Sequence, residues 1–191
     1  MIKDQLLEIF DRHMAVFYDF YFSESNLNLI TKASRAIVDC FKRDGETIIC
    51  GNGGSASDSQ HFAAELVGRF EKERKAINAI AITTNTSILT AIGNDYSFDG
   101  IFSRQVEAIG TDKDVLIGIS TSGNSKNVIK AFDVANAKGM FTISLTGNDG
   151  GRLKEVSDLN LNVNCDNTAT IQEIHITIIH AISKIVEDLS C

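Results

Sequence analysis

The stretch Val115-Leu116-Ile117-Gly118-Ile119 carries no polar side chain. A strand with one face in water alternates apolar and polar residues, so a strand of this kind has both faces covered. Four further short runs read as strands, at about 47–50, 78–83, 141–146 and 159–163. Helical periodicity fills the intervals at about 57–68, 86–92, 98–109, 126–138 and 151–156, and a long helix is predicted over about 171–189. Short strands alternating with helices through brief connections imply a doubly wound α/β fold. The expected architecture is a three-layer α/β/α sandwich on a five-stranded parallel sheet. A length of 191 residues suits one domain with one good core. A helical extension of about 44 residues precedes the first strand. Its first helix, about 2–22, repeats Leu6, Ile9, Phe10, Met14, Phe17 and Phe20 at helical spacing, and its second, about 26–43, carries Leu27, Ile30, Ile37 and Phe41. The Phe-rich first helix and the Ile-rich last helix hold more apolar surface than one small sandwich needs, which predicts a homo-oligomer.

Bulk properties narrow the partners. The formal net charge is −7 and no run of Lys or Arg occurs, which argues against nucleic acid or an anionic membrane as the main partner. No apolar segment approaches the roughly 20 residues that span a bilayer. The N-terminal residues lack a signal-peptide profile. Cys40, Cys50, Cys165 and Cys191 are scattered without metal or disulfide spacing, so a reduced, cytoplasmic setting is expected.

Ligands of doubly wound folds sit at the carboxyl ends of the strands. Two turns qualify. The first, Gly51-Asn52-Gly53-Gly54-Ser55, follows an apolar strand and opens a helix, so backbone N–H groups and a positive helix end face any anion placed there. It satisfies a loose G-x-G-x-x-A fingerprint, yet the next strand runs out in Thr83-Thr84-Asn85 without the ribose-binding acid, which disfavours a dinucleotide. The second turn, Ser120-Thr121-Ser122-Gly123-Asn124-Ser125, offers four hydroxyls and a glycine. Serine and threonine are also common helix caps, so a plain capped turn is the competing reading. The strand, glycine and hydroxyls together favour phosphate, held without the lysine of a Walker A loop.

The helix after the first turn carries His61 and Glu65, four residues apart and about 40° apart around the axis. The last helix places Gln172 and His180 among Ile174, Ile178, Ile179, Ile182 and Ile185. Polar groups on such a face need a reason. From the residues alone, buried hydrogen-bonded polar groups outrank a metal site. His13 reads as a surface or interface residue and His175 as a satisfied core or interface histidine.

The motifs CGNGGSASDSQHFAAEL, AIGNDYSFDGIFSRQV, GISTSGNS and IQEIH, in this order, resemble the phosphoheptose (sedoheptulose 7-phosphate) isomerase family of SIS domains over nearly the whole chain. The resemblance implies an aldose–ketose isomerase that converts sedoheptulose 7-phosphate to D-glycero-D-manno-heptose 7-phosphate through an enediol. That would be a first step towards ADP- or GDP-heptose, for lipopolysaccharide, capsule or another glycoconjugate. It implies that Glu65 and His180 act as acid and base. Asn52, Gly53, Gly54, Ser55, Asn94, Asp95 and Gln172 would contact the sugar, and Ser120, Thr121, Ser122 and Ser125 its phosphate. It also implies one Zn²⁺ on His61, Glu65, Gln172 and His180, and a homotetramer with shared sites. One departure is Thr170, which stands where many relatives carry an Arg before Ile-Gln. A scaffold branch of the same fold, which binds a replication initiator, has lost the glutamate that this chain keeps as Glu65. A phosphosugar-sensing regulator would need a helix-turn-helix, and none flanks the fold.

Overall fold

The computed structural model describes residues 1–191. Helices α1 (Ile2–Tyr21) and α2 (Glu24–Lys42) lead into β1 (Thr47–Gly51), α3 (Gly54–Val67), β2 (Ala79–Ala81) and α4 (Thr86–Asp95). A 3₁₀ turn at Phe98–Gly100 and α5 (Ser103–Ile109) come before β3 (Val115–Ser120), α6 (Lys126–Ala137) and β4 (Phe141–Gly147). The chain closes with α7 (Gly151–Val156), β5 (Leu159–Val163) and α8 (Thr168–Ser190). All strand pairs are parallel, in the order β2-β1-β3-β4-β5. The expected fold class is the observed one.

The strand order reverses between β1 and β3, which lie side by side with Gly51 opposite Ile119. A crevice forms at such a switch point because the connections leave to opposite faces of the sheet. Ile49, Ile117 and Ile119 point to one face and pack under α2, α3 and α8 through Ile37, Phe62, Leu66, Ile178 and Ile182. Ile48 and Leu116 point to the other and pack under α5, α6 and α7 through Phe102, Val106, Phe132 and Leu153. β3 is buried at every residue, as its unbroken apolar run requires.

Boundaries differ from expectation where local signals are weak. β2, at one sheet edge, has three residues rather than six, although Ile82 N–H still donates to Ile49 O at 3.0 Å. The predicted helix over 98–109 breaks after Gly100, a poor helix former, and Ile101 and Phe102 turn into the core. α3 starts at Gly54, and α8 starts at Thr168, where the Asn167 side chain accepts from Thr170 N–H. No helix is long and apolar enough to cross a membrane. Along α1 only Phe20 is buried, while Leu6, Ile9, Phe10 and Met14 are open to solvent in the single chain.

His175 is a core residue. It is wholly buried, and its Nε2 lies 3.0 Å from Thr146 O at the end of β4. Burial pushes the imidazole down from 6.5 to about 4, against the opposing bond to Thr146. Above the unfolded value the group is neutral in both states. As pH falls from about 6.5 to about 4, the unfolded chain takes up a proton that the folded chain refuses, so stability is lost across that window. The full shift corresponds to about 3 kcal/mol. Urea midpoints between pH 7 and pH 4 should therefore fall less steeply for His175→Gln than for the wild-type chain. Parallel slopes would show that this imidazole does not titrate differently on folding.

Candidate active site

The first turn is set by a close approach from the far end of the chain. The side-chain amide of Gln172, in the first turns of α8, lies against Gly54, where a Cβ would stand 2.6 Å from its Nε2. A Cβ at Gly54 would require the Gln172 amide to move. Two turns further along both helices, His61 meets His180 with their Nε2 atoms 2.8 Å apart. Glu65 Oε1 lies 3.3 Å from His61 Nε2. The donor atoms of His61, Glu65 and His180 all fall within 4.8 Å of one another, with Glu65 and His180 half-buried and His61 more open. Two neutral imidazoles satisfy a 2.8 Å contact only if one nitrogen keeps its proton and the other its lone pair. Two lone pairs and a carboxylate oxygen converging this way also suit a divalent cation, and two His with one Glu is a zinc donor set that leaves a fourth position open. These three residues could hold a metal. Gln172 precedes His180 by eight residues on α8, and its side-chain amide lies at Gly54, at the start of the helix that carries His61 and Glu65.

The second turn does not behave as a simple cap. Ser125 occupies the N-cap of α6 but makes no side-chain cap bond. Its hydroxyl instead lies 2.8 Å from Ser120 Oγ, with Ser122 Oγ 3.5 Å from the same atom. The hydroxyls therefore cluster in front of the helix end and leave its first N–H groups to a ligand. Thr121 follows Ser120 and is half-buried. The turn is braced from behind. Leu153 N–H donates to Gly123 O at 2.9 Å, and Arg152 N–H donates to Asn124 Oδ1 at 3.0 Å. Gly123 has φ +64, and a Cβ there would stand 2.0 Å from Gly150 O.

The two turns are joined. Asn52 Nδ2 donates to Asn127 Oδ1 at 2.9 Å, and Asn127 Nδ2 donates back to Asn52 Oδ1 at 2.8 Å. Asn127 is buried and is a site residue that the sequence did not disclose, since an Asn early in a helix is unremarkable. Ser55 is buried behind the first turn, whereas Gly53 and Gly54 are exposed. Asn94 and Asp95 sit exposed at the end of α4, where Asn94 Nδ2 donates to Asp95 Oδ1 at 2.9 Å, and no hydrogen bond ties them to either turn.

A second undisclosed feature lies beyond His180. Glu187 is wholly buried on α8, and its carboxylate accepts from Phe70 N–H, Glu71 N–H and Lys72 N–H at 2.9–3.0 Å. Burial would raise this carboxyl, but those N–H groups and the Arg74 guanidinium hold it below the usual carboxylate range. A charge on the Ile-rich face, two turns after His180, was the available signal.

The parallel sheet carries a hydroxyl-lined turn at its switch point, and residues 20–147 match the SIS domain family, which defines the class. Among curated proteins, a phosphoheptose isomerase of Campylobacter jejuni is 55% identical over 159 residues, spanning 83% of this chain and 86% of that one. A phosphoheptose isomerase of Helicobacter pylori is 52% identical over 164 residues, 86% of this chain and 85% of that one. Among solved structures, the phosphoheptose isomerase of Neisseria gonorrhoeae superposes with a TM-score of 0.92 at 42% identity, covering 98% of this chain and all of that one (100%). That of Francisella tularensis gives a TM-score of 0.94 at 36% identity over 98% and 99% of the two chains. The chain belongs to the phosphoheptose isomerase family, whose members are sugar-phosphate isomerase enzymes.

Replacing Gly123 tests the braced turn. Gly123→Ala meets both a left-handed backbone and the Gly150 carbonyl, so the urea midpoint should drop by the equivalent of about 2 kcal/mol or more. An unchanged midpoint would mean that the turn takes another path.

Proposed function

We propose that the chain interconverts sedoheptulose 7-phosphate and D-glycero-D-manno-heptose 7-phosphate. The observation that carries this reading is the meeting of Glu65 with two imidazoles on helices that leave the same sheet edge as the hydroxyl turn. The 7-phosphate would sit on Ser120, Thr121, Ser122 and Ser125 and on the free N–H groups of α6. Several neutral donors share the load there, each worth about 1 kcal/mol net. Asn52, Gly53, Gly54, Ser55 and Gln172 would line the sugar, with the Asn52–Asn127 amide pair setting the spacing between the phosphate end and the carbonyl end.

The open-chain ketose loses a proton from C1 to the Glu65 carboxylate while His180 gives a proton to O2. The resulting enediol regains a proton at C2 from Glu65 and returns the O1 proton to His180, which leaves the aldose and restores both groups. A carboxylate and an imidazole each exchange protons near neutral pH, which suits them to this relay. His61, Glu65 and His180 would hold a Zn²⁺, which when bound would supply polarisation of the carbonyl. Gln172, on α8 with His180, would add a fourth ligand to that set.

We also read the whole chain as one SIS domain with a helical extension, acting as a cytoplasmic homotetramer. The open apolar face of α1 and an α4 without a buried residue support assembly. Asn94 and Asp95 would then reach the sugar across a subunit boundary. The four free cysteines suit a reducing compartment.

Glu65→Gln and His180→Gln should each lower kcat on sedoheptulose 7-phosphate by about 100-fold or more, whereas Ser120→Ala with Ser122→Ala should chiefly raise KM. Near-normal turnover in either of the first two variants removes that residue from the relay. Sedimentation should show a tetramer, and a fully active monomer would overturn the shared site.

A further inference from the structure

The relay depends on two side chains carried by different helices, and hydrogen bonds between α3 and α8 alone do not hold them in register. The segment between α3 and β2 contains Arg69, Glu71, Lys72, Glu73, Arg74 and Lys75 and has no regular structure. So charged a loop would ordinarily be solvated and mobile. Here it is drawn inward by one buried pair. Glu187 receives three consecutive backbone N–H groups of the loop, and Arg74 Nε lies 3.5 Å from Glu187 Oε1, with both side chains almost wholly buried.

The pair touches both halves of the relay. Arg74 Nη2 donates to the carbonyl oxygen of Glu65 itself at 2.7 Å, and Nη1 donates to Leu66 O at 2.8 Å. These are carbonyls of the last turn of α3, which lack helical partners and attract a cation. On the other side, Phe70, whose N–H is bound to Glu187, sets its ring 5.9 Å from the His180 ring. Glu187 follows His180 by seven residues, about 20° around α8, so both lie on one face. The outer pair Lys72–Asp188 is exposed and adds little to the order of the loop.

We propose that Glu187 and Arg74 are positioning residues for the isomerase: a buried clamp that fixes the end of α3 to α8, seats Phe70 beside His180, and so sets the placement of Glu65 against His180. This rests on the function proposed above. Glu187→Gln presents an amide NH₂ to a row of N–H donors and leaves Arg74 without its counter-charge, so the clamp opens without a large change in volume. Arg74→Lys keeps the charge but loses the fork that spans two carbonyls.

The test compares Glu187→Gln, Arg74→Lys and Glu187→Asp with the wild-type chain, using turnover per folded molecule and the imidazole NMR resonances of His180. The clamp predicts that kcat falls at least about tenfold in the first two variants while KM changes less than about twofold. It predicts shifted His180 resonances, and partial recovery in Glu187→Asp. A role confined to stability would lower the melting temperature but leave kcat per folded molecule and the His180 resonances unchanged, and that result rejects the proposal. If Glu187→Gln does not fold, Phe70→Ala, which keeps the clamp residues, takes its place. It should still lower kcat and move the His180 resonances, and the absence of both effects rejects the proposal. If the wild-type chain does not turn over sedoheptulose 7-phosphate, the proposed function falls separately. The clamp is then decided by the His180 resonances of Glu187→Gln, with displacement supporting it and identity rejecting it.

Discussion

The pairing of α3 with α8 is the constraint on which the rest of the site depends. Three contacts follow one another along the two helices: the Gln172 amide on Gly54, the imidazoles of His61 and His180, and the Glu187–Arg74 pair at the end of α3. The apolar faces of both helices press on the same side of the sheet through Phe62, Leu66, Ile178 and Ile182, so burial supplies the adhesion. The polar contacts contribute little net energy by comparison, but they are directional and choose one register among several that would bury similar area. Chemistry needs that choice, because proton transfer works only over hydrogen-bond distances.

The other half of the site follows from strand order. β1 and β3 are neighbours although α3, β2, α4, the 3₁₀ turn and α5 separate them in the chain. Their carboxyl ends present the glycine turn and the hydroxyl turn side by side, and the reciprocal Asn52–Asn127 amide pair joins the two. An anion held this way meets hydroxyls, free N–H groups and a helix end rather than a buried lysine. In a chain of net charge −7, such an arrangement would hold an anion without a permanent cation at its centre.

What was legible in the sequence was local. The unbroken apolar run at Val115–Ile119 required a sheet covered on both faces, and the hydroxyl-rich turn after it was visible as a strand-to-helix connection. The spacing of His61 and Glu65 put them on one helix face. The groups that complete the site come from distant sequence: His180 lies 119 residues from His61, Asn127 lies 75 from Asn52, and Glu187 lies 117 from Phe70. Helical period places a side chain on a face but not against a partner, so the approach of the Gln172 amide to Gly54 was not legible in the sequence.

The central claim is spatial: one phosphorylated sugar spans the hydroxyl turn and the Glu65–His180 pair. A crystal structure of the protein with sedoheptulose 7-phosphate tests it most directly. The account predicts phosphate oxygens on Ser120, Ser122 and Ser125, and C1 and C2 within hydrogen-bond reach of Glu65 and His180. A phosphate bound elsewhere, or a carbonyl end directed away from those two side chains, would contradict it.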